Sequence, residues 1–242
     1  MPLIKVVPYC SGYLYRVVNG LSAAFDGDLY SERRLKHMKR KAYMLVFDGL
    51  ADWEPSLALC EINKSGKFDV VAVGFDDKPV ATMGGLRLLP DITLDAVNPA
   101  EAAIFILPGG DMWEQNSDGK ITNVLCQLHD AEVPIAAICG ATLEVARAKL
   151  TRGCKHTSNA KEYLKAMVAD YTDENFYVDE LAITDHKIIT ASGLGSVEFG
   201  REIIKQLNIY NEADTKVWFD MFKHGVFPAS EAVGQGVAAN AQ

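Results

Sequence analysis

The sequence predicts an α/β protein, an open three-layer sandwich on a mostly parallel central sheet, and three observations carry that expectation. Short, continuous apolar runs recur along the chain, as strands buried on both faces require. Between them lie segments of about 10–15 residues with apolar positions at helical spacing, so strand and helix alternate. The chain has 242 residues, 49% hydrophobic and 23% charged, which suits one substantial core and excludes a disordered polymer.

The elements follow in order. Residues 43–47 (YMLVF) are the first strand. Residues 52–64 carry Leu57, Cys60 and Ile62 at apolar positions, which predicts a helix capped by Asp52 with Pro55 in its first turn. Residues 68–75 (FDVVAVGF) and 102–107 (AAIFIL) are further strands. An amphipathic helix is expected over 117–129, a buried strand over 133–138 (VPIAAI), and a helix over 140–149 directly after it. Residues 177–183 and 187–191 read as strands about a turn at 184–187 (TDHK), with helices near 195–207 and 212–224.

Residues 1–37 show neither period and are expected to form an N-terminal appendage to a domain spanning 38–228. Pro8, Ser11, Arg16 and Asn19 break the apolar stretch a secretory peptide needs, which makes a targeting peptide the weaker alternative. The small, polar stretch 229–242 is expected to be a flexible tail.

Charge narrows the partners. Twenty-four Lys and Arg against 32 Asp and Glu give a net charge of −8, so the electrostatic footprint of a nucleic-acid binder is missing. No apolar run approaches the roughly 20 residues of a membrane span. The five cysteines (Cys10, Cys60, Cys126, Cys139, Cys154) are odd in number and show no CxxC spacing. That argues against a disulfide framework or a zinc site, and for reduced thiols in the cytoplasm. Cys60 and Cys126 fall on apolar helical faces and are expected in the core.

In an open sheet of this kind, sites lie beyond the carboxyl ends of the strands, and three strand ends carry chemistry. In IAAICGA, a buried strand runs straight into a helix with Cys139 at the corner and small residues, Ala137 and Ala141, two positions either side. This is the spacing of a nucleophile elbow, with Cys for Ser. Helix N-terminal N–H groups at such a corner would depress the thiol pKa. A buried cysteine that merely ends a strand is the plain alternative. LPGGD places Gly109 and Gly110 after another strand, where backbone N–H groups can face a developing oxyanion. In DGLADWEP, Glu54 lies in the first turn of a helix, either facing the same crevice or serving only the helix dipole.

Together the blocks YMLVFDGLADWEP, FILPGGDMW, AAICGATLEVARAKL, KHTSN and ITASGLGSVEFGREIIKQL, in this order over about residues 40–208, resemble the ThiJ/PfpI family of the class I glutamine amidotransferase-like superfamily. The resemblance implies a flavodoxin-like sandwich with the reactive Cys139 on its elbow and Glu54 beside the sulfur. It also implies an oxyanion cradle from Gly109, Gly110 and the Gly140 amide. Members with deglycase or glyoxalase activity carry a histidine after the elbow helix, about where His156 of KHTSN falls. Members described as intracellular proteases have a histidine immediately after the nucleophile, where this chain has Gly140. ITASGLGSVEFG lacks the histidine of true amidotransferases.

The resulting expectation is a cofactor-independent, metal-free cysteine enzyme acting on small reactive aldehydes. Its Cys139 thiolate would attack the carbonyl and His156 or Glu54 would move the proton. A redox sensor using oxidation of Cys139 is the alternative, with Cys154 as a conceivable resolving thiol. An amide or peptide hydrolase is third. The resemblance also implies a homodimer. His156 near Cys139 would favour the enzyme; His156 pointing away would favour sensing.

Overall fold

The computed structural model describes residues 39–115 and 119–228; the appendage expected at 1–37 and the tail at 229–242 lie outside them. Within these residues, strand β1 (Arg40–Leu45) leads to helix α1 (Trp53–Lys64), β2 (Phe68–Gly74), a two-stranded hairpin β3 (Val80–Ala81) and β4 (Arg87–Leu88), and β5 (Ile92–Thr93). Then follow β6 (Ala102–Leu107), α2 (Lys120–Asp130), β7 (Ile135–Ile138), α3 (Thr142–Arg147), α4 (Lys161–Met167), β8 (Ala182–Asp185), β9 (Ile188–Ala191), α5 (Ser196–Gln206) and α6 (Glu212–His224). The main sheet runs β5-β2-β1-β6-β7-β9-β8, parallel except for the edge pair β8/β9. This is the open α/β sandwich the sequence predicts.

The sheet order positions the site. From β1 the chain crosses through α1 to β2 on one side, whereas from β6 it crosses through α2 to β7 on the other. Crossovers of one hand running in opposite directions put α1 and α2 on opposite faces. They also open a crevice at the carboxyl ends of β1 and β6, the switch point where such sheets hold their sites. Every residue of β6, β7 and β9 is buried, which explains the unbroken apolar sequences of β6 and β7; the one polar residue of β9, Thr190, accepts from Thr157 N at 2.9 Å. The registers Leu107↔Ala137 and Ile138↔Ala191, carried past the strand ends, set Gly109 and Gly193 on either side of Cys139.

Several expectations need correction. The strand expected at 177–183 is Ala182–Asp185; Tyr177 instead bridges to His156, whose N–H donates to Phe176 O and whose C=O accepts from Val178 N. The turn at 184–187 is present, with His186 and Lys187 both at positive φ, as a tight hairpin requires. The helix expected over 117–129 is described from Lys120. The helix expected at 140–149 begins as a single 3₁₀ turn, Cys139–Ala141, before α3.

Asp52 precedes α1 but does not cap it. Its carboxylate accepts from Gly84 N at 2.6 Å, and a hydrogen bond from Thr82 holds it below the usual carboxylate range. With Asp48, which accepts from Ala81 N at 2.8 Å, it pins the β3–β4 hairpin over the end of β1. Cys60 is exposed and Cys126 half-buried, so neither is a core residue. On α1 the inward position falls on Glu61, seven residues and so about two turns after Glu54. Both carboxyls are buried, and Glu61 is tied to Lys64 and Tyr210.

Candidate functional site

Cys139 sits at the junction of β7 and α3 with φ +59°, the left-handed region that costs an ordinary side chain of order 1 kcal/mol or more. Ala137 and Ala141, fully buried on either side, leave room for so tight a corner. The Thr142 hydroxyl donates to Cys139 O at 2.7 Å and meets Ser158 Oγ at 2.6 Å, which ties the elbow to residues 156–159. Cys139 is half-buried.

Glu54 reaches this corner from the first turn of α1. It is 1% exposed, and Gly109 N donates to its Oε2 at 2.5 Å. The remaining capacity of the carboxyl is directed to the Cys139 thiol. Burial pushes Glu54 above the usual carboxyl range, against the opposing pull of the Gly109 and Cys139 hydrogen bonds. Only glycine fits at 109: a Cβ there would lie 2.5 Å from Glu54 Oε2 and 2.7 Å from Cys139 Cβ. The Gly109 N–H is thus committed to positioning the carboxyl, not turned toward an oxyanion as the sequence suggests.

The thiol itself departs from expectation. Burial raises its pKa above the ordinary cysteine value, and the Glu54 carboxyl raises it further. Hydrogen bonds from Asn159 and the Gly140 amide oppose this without overcoming it. The expected depression by the following helix is therefore corrected: desolvation and an acidic neighbour outweigh the N–H donors. The pair Cys139–Glu54 is best regarded as two acids that share protons, since ionising either disfavours ionising the other.

His156 does not reach the sulfur. It is completely buried, with Nδ1 2.8 Å from Cys154 O and Nε2 2.7 Å from the Tyr171 hydroxyl. Its ring lies edge-on to Tyr171 and Tyr177, and burial lowers its pKa. The expectation that it moves protons at Cys139 is corrected: both ring nitrogens are occupied in the core. Three residues further on, Asn159 stands where a histidine was expected, with Nδ2 donating to Cys139 Sγ at 3.4 Å and Oδ1 accepting from Gly193 N at 2.9 Å. A Cβ at Gly193 would lie 2.9 Å from Sγ.

Asn159 and Gly193 are the site residues that sequence reasoning missed. The blocks KHTSN and ITASGLG drew attention to both stretches, but no local pattern marks either residue. Among the described residues, the groups that hydrogen-bond the sulfur are Glu54, Asn159 and the Gly140 amide. Gly110 packs beneath the corner, its carbonyl 3.2 Å from where a Cβ on Gly140 would lie.

Trp113 backs the corner. It is buried, donates from Nε1 to Pro108 O at 2.8 Å and stacks edge-on with Phe47 at 5.5 Å. Cys154 is buried and donates to Asp185 O at 3.2 Å. Burial and the Asp185 carboxylate push its thiol up to about 12, which disfavours a resolving role.

Fold and site together define an α/β sandwich protein with a strained cysteine corner and a buried carboxyl against its sulfur. Residues 40–206 match the profile of the DJ-1/PfpI family, and the chain belongs to that family. It is 34% identical over 191 residues to YoaZ of Bacillus subtilis, a protein named as an uncharacterized protease, covering 76% of this chain and 91% of that one. It is 26% identical over 142 residues to a deglycase of Thermococcus kodakarensis, covering 57% and 85%. A thiJ/pfpI family protein from Bacillus anthracis superposes with a TM-score of 0.73 at 33% identity, covering 78% of this chain and 92% of that structure.

Proposed function

We propose that this protein is a cysteine-dependent enzyme acting on small reactive aldehydes, with Cys139 as nucleophile and Glu54 as the acid–base group. The observation that carries the reading is the buried Glu54 carboxyl, its pKa raised, hydrogen-bonded to the thiol. A carboxyl shifted upward toward neutrality is suited to give and take a proton in one cycle.

The reactive form arises when the Cys139 thiol passes its proton to the Glu54 carboxylate across their hydrogen bond, leaving a thiolate and a protonated Glu54. Sγ adds to the aldehyde carbon of methylglyoxal while the Glu54 proton passes to the carbonyl oxygen, giving a hemithioacetal and a Glu54 carboxylate. That carboxylate removes the proton from the same carbon, forming an enediolate; the hydroxyl proton passes to the neighbouring oxygen, and Glu54 returns its proton to the neighbouring carbon. The product is a thioester of Cys139. Glu54 then takes a proton from water as hydroxide attacks the thioester. Lactic acid leaves, and the thiolate and protonated Glu54 are restored. Over the cycle, methylglyoxal and one water become lactic acid. The Gly140 amide supports the sulfur.

A second reading, a redox sensor, is favoured by His156, which points away from Cys139 and leaves the enzyme reading resting on Glu54, and by the donor set. Protonated Glu54, Asn159 Nδ2 and Gly140 N surround the sulfur, and three donors suit a sulfinate formed from thiolate and two peroxide molecules with release of two waters. Peptide hydrolysis, raised by the relative named as a protease, gains no imidazole at the sulfur among the described residues.

The deciding assay follows loss of methylglyoxal and appearance of lactate for wild type, Cys139→Ala and Glu54→Gln. Turnover lost in both variants supports the enzyme. No wild-type turnover, with peroxide adding two oxygens at Cys139, replaces it with the sensor.

The homodimer is part of the same proposal. Trp53 and Leu194, 53% and 86% exposed, adjoin Glu54 and Gly193 and offer an apolar rim to a second copy. Sedimentation as a monomer at micromolar concentration would remove it. Among the described residues no helix is long and apolar enough to cross a membrane, and four free cysteines suit the reducing cytoplasm.

A further inference from the structure

Away from the elbow, three ligand types meet on the far side of the 154–159 segment. Cys154 Sγ, a carboxylate oxygen of Asp185 and a ring nitrogen of His186 all lie within 4.8 Å of one another. We propose that Cys154, Asp185 and His186 form a binding site for a divalent transition ion of the zinc type, with a fourth position open to solvent.

The donor set suits such an ion: thiolate, imidazole and carboxylate are its usual protein ligands, at about 2.0–2.3 Å. Those bond lengths in a tetrahedron put neighbouring ligand atoms about 3.3–3.8 Å apart. Asp185 Oδ1 and His186 Nδ1 stand at 3.3 Å already. Closing the remaining separation needs a movement of about 1 Å, which the His186 side chain, 71% exposed at the hairpin tip, supplies by rotation.

The surroundings hold the other two ligands in place. Lys155 N donates to Asp185 Oδ2 at 2.8 Å, which leaves Oδ1 directed at the cluster, the kind of outer support that metal-ligating carboxylates receive. Cys154 is buried, and the fully buried His156 binds its carbonyl at 2.8 Å. Solvent reaches the cluster past His186.

Charge complementarity points the same way. A thiolate and a carboxylate packed together repel, whereas a dication neutralises both and permits the thiol to ionise. Binding replaces the S–H bond by an S–metal bond and releases one proton to solvent. A metal here would clip the β8–β9 hairpin to the segment that carries Asn159 to Cys139. Chain spacing could not show this site, because Cys154 lies 31 residues before Asp185.

The test titrates the full chain with Co²⁺ as a spectroscopic stand-in for Zn²⁺, followed by Zn²⁺ competition. We expect one equivalent bound with a thiolate-to-cobalt charge-transfer band in the near ultraviolet. Cys154→Ser should abolish the band, Cys139→Ser should retain it, and His186→Asn should weaken affinity by about tenfold or more. Asn tolerates the positive φ of the turn, so His186→Asn remains decisive even where Cys154→Ser fails to fold. No band, a band lost with Cys139→Ser and kept with Cys154→Ser, or unchanged affinity in His186→Asn would each overturn the proposal.

Discussion

Replacing Gly109 by alanine tests the geometry of the corner most directly. The new Cβ would stand 2.5 Å from Glu54 Oε2 and 2.7 Å from Cys139 Cβ. Reaching the 3.4 Å of ordinary contact requires the carboxyl to retreat by about 0.9 Å (3.4 less 2.5). Gly109 is not among the positive-φ residues, so the cost is steric, about 1–3 kcal/mol for overpacking a tight interior. The retreat also strains the hydrogen bond from Gly109 N to Glu54 and draws the carboxyl away from the sulfur. Because Glu54 raises the Cys139 pKa, the thiol should become easier to ionise. Urea unfolding should show the stability loss, and iodoacetamide alkylation of Cys139, followed by mass spectrometry across pH, should show a midpoint moved to lower pH. A variant with wild-type stability and an unmoved alkylation profile would refute the placement of Glu54 between Gly109 and Cys139.

Three further outcomes follow from the same contacts. Glu54→Gln should lower the alkylation midpoint of Cys139, whereas Asn159→Ala should raise it, since one neighbour raises the thiol pKa and the other lowers it; shifts of the same sign would contradict the assigned contacts. Glu54 also shapes stability against pH. Its folded pKa is raised, so its contribution is fully present below the unfolded carboxyl pKa and is lost as pH rises through the folded value. Glu54→Gln should flatten that decline in denaturant melts between the two, and an unchanged slope would refute it. His156→Ala should cost about 2 kcal/mol or more, through a cavity and two stranded polar partners, Cys154 O and Tyr171 OH. It should leave the Cys139 alkylation midpoint in place; a large movement would restore His156 to the site.

What the sequence determined by itself rests on local physics. β6 and β7 are visible as AAIFIL and IAAI because strands buried on both faces favour continuous apolar runs, and both are buried throughout. The corner at Cys139 is visible because its requirement for small neighbours falls two residues either side in the same stretch of chain. Glu54 and Gly109 each follow a recognisable strand, so their nearness to the crevice is legible from the strand-end rule.

Tertiary structure alone decided the rest, because those contacts join residues far apart in the chain. Asn159 is 20 residues from Cys139 and 34 from Gly193, and no periodicity distinguishes it from His156 three positions earlier. Which of the two meets the sulfur depends on how the segment after α3 crosses β9. Asp52 sits at a helix start yet serves a hairpin 32 residues on, since the backbone donor at Gly84 competes for the same carboxylate. The direction of the Cys139 pKa shift is likewise tertiary. Helix N–H groups are local and favour the thiolate, but burial and the carboxyl brought from α1 are not, and at this corner they are the larger influence.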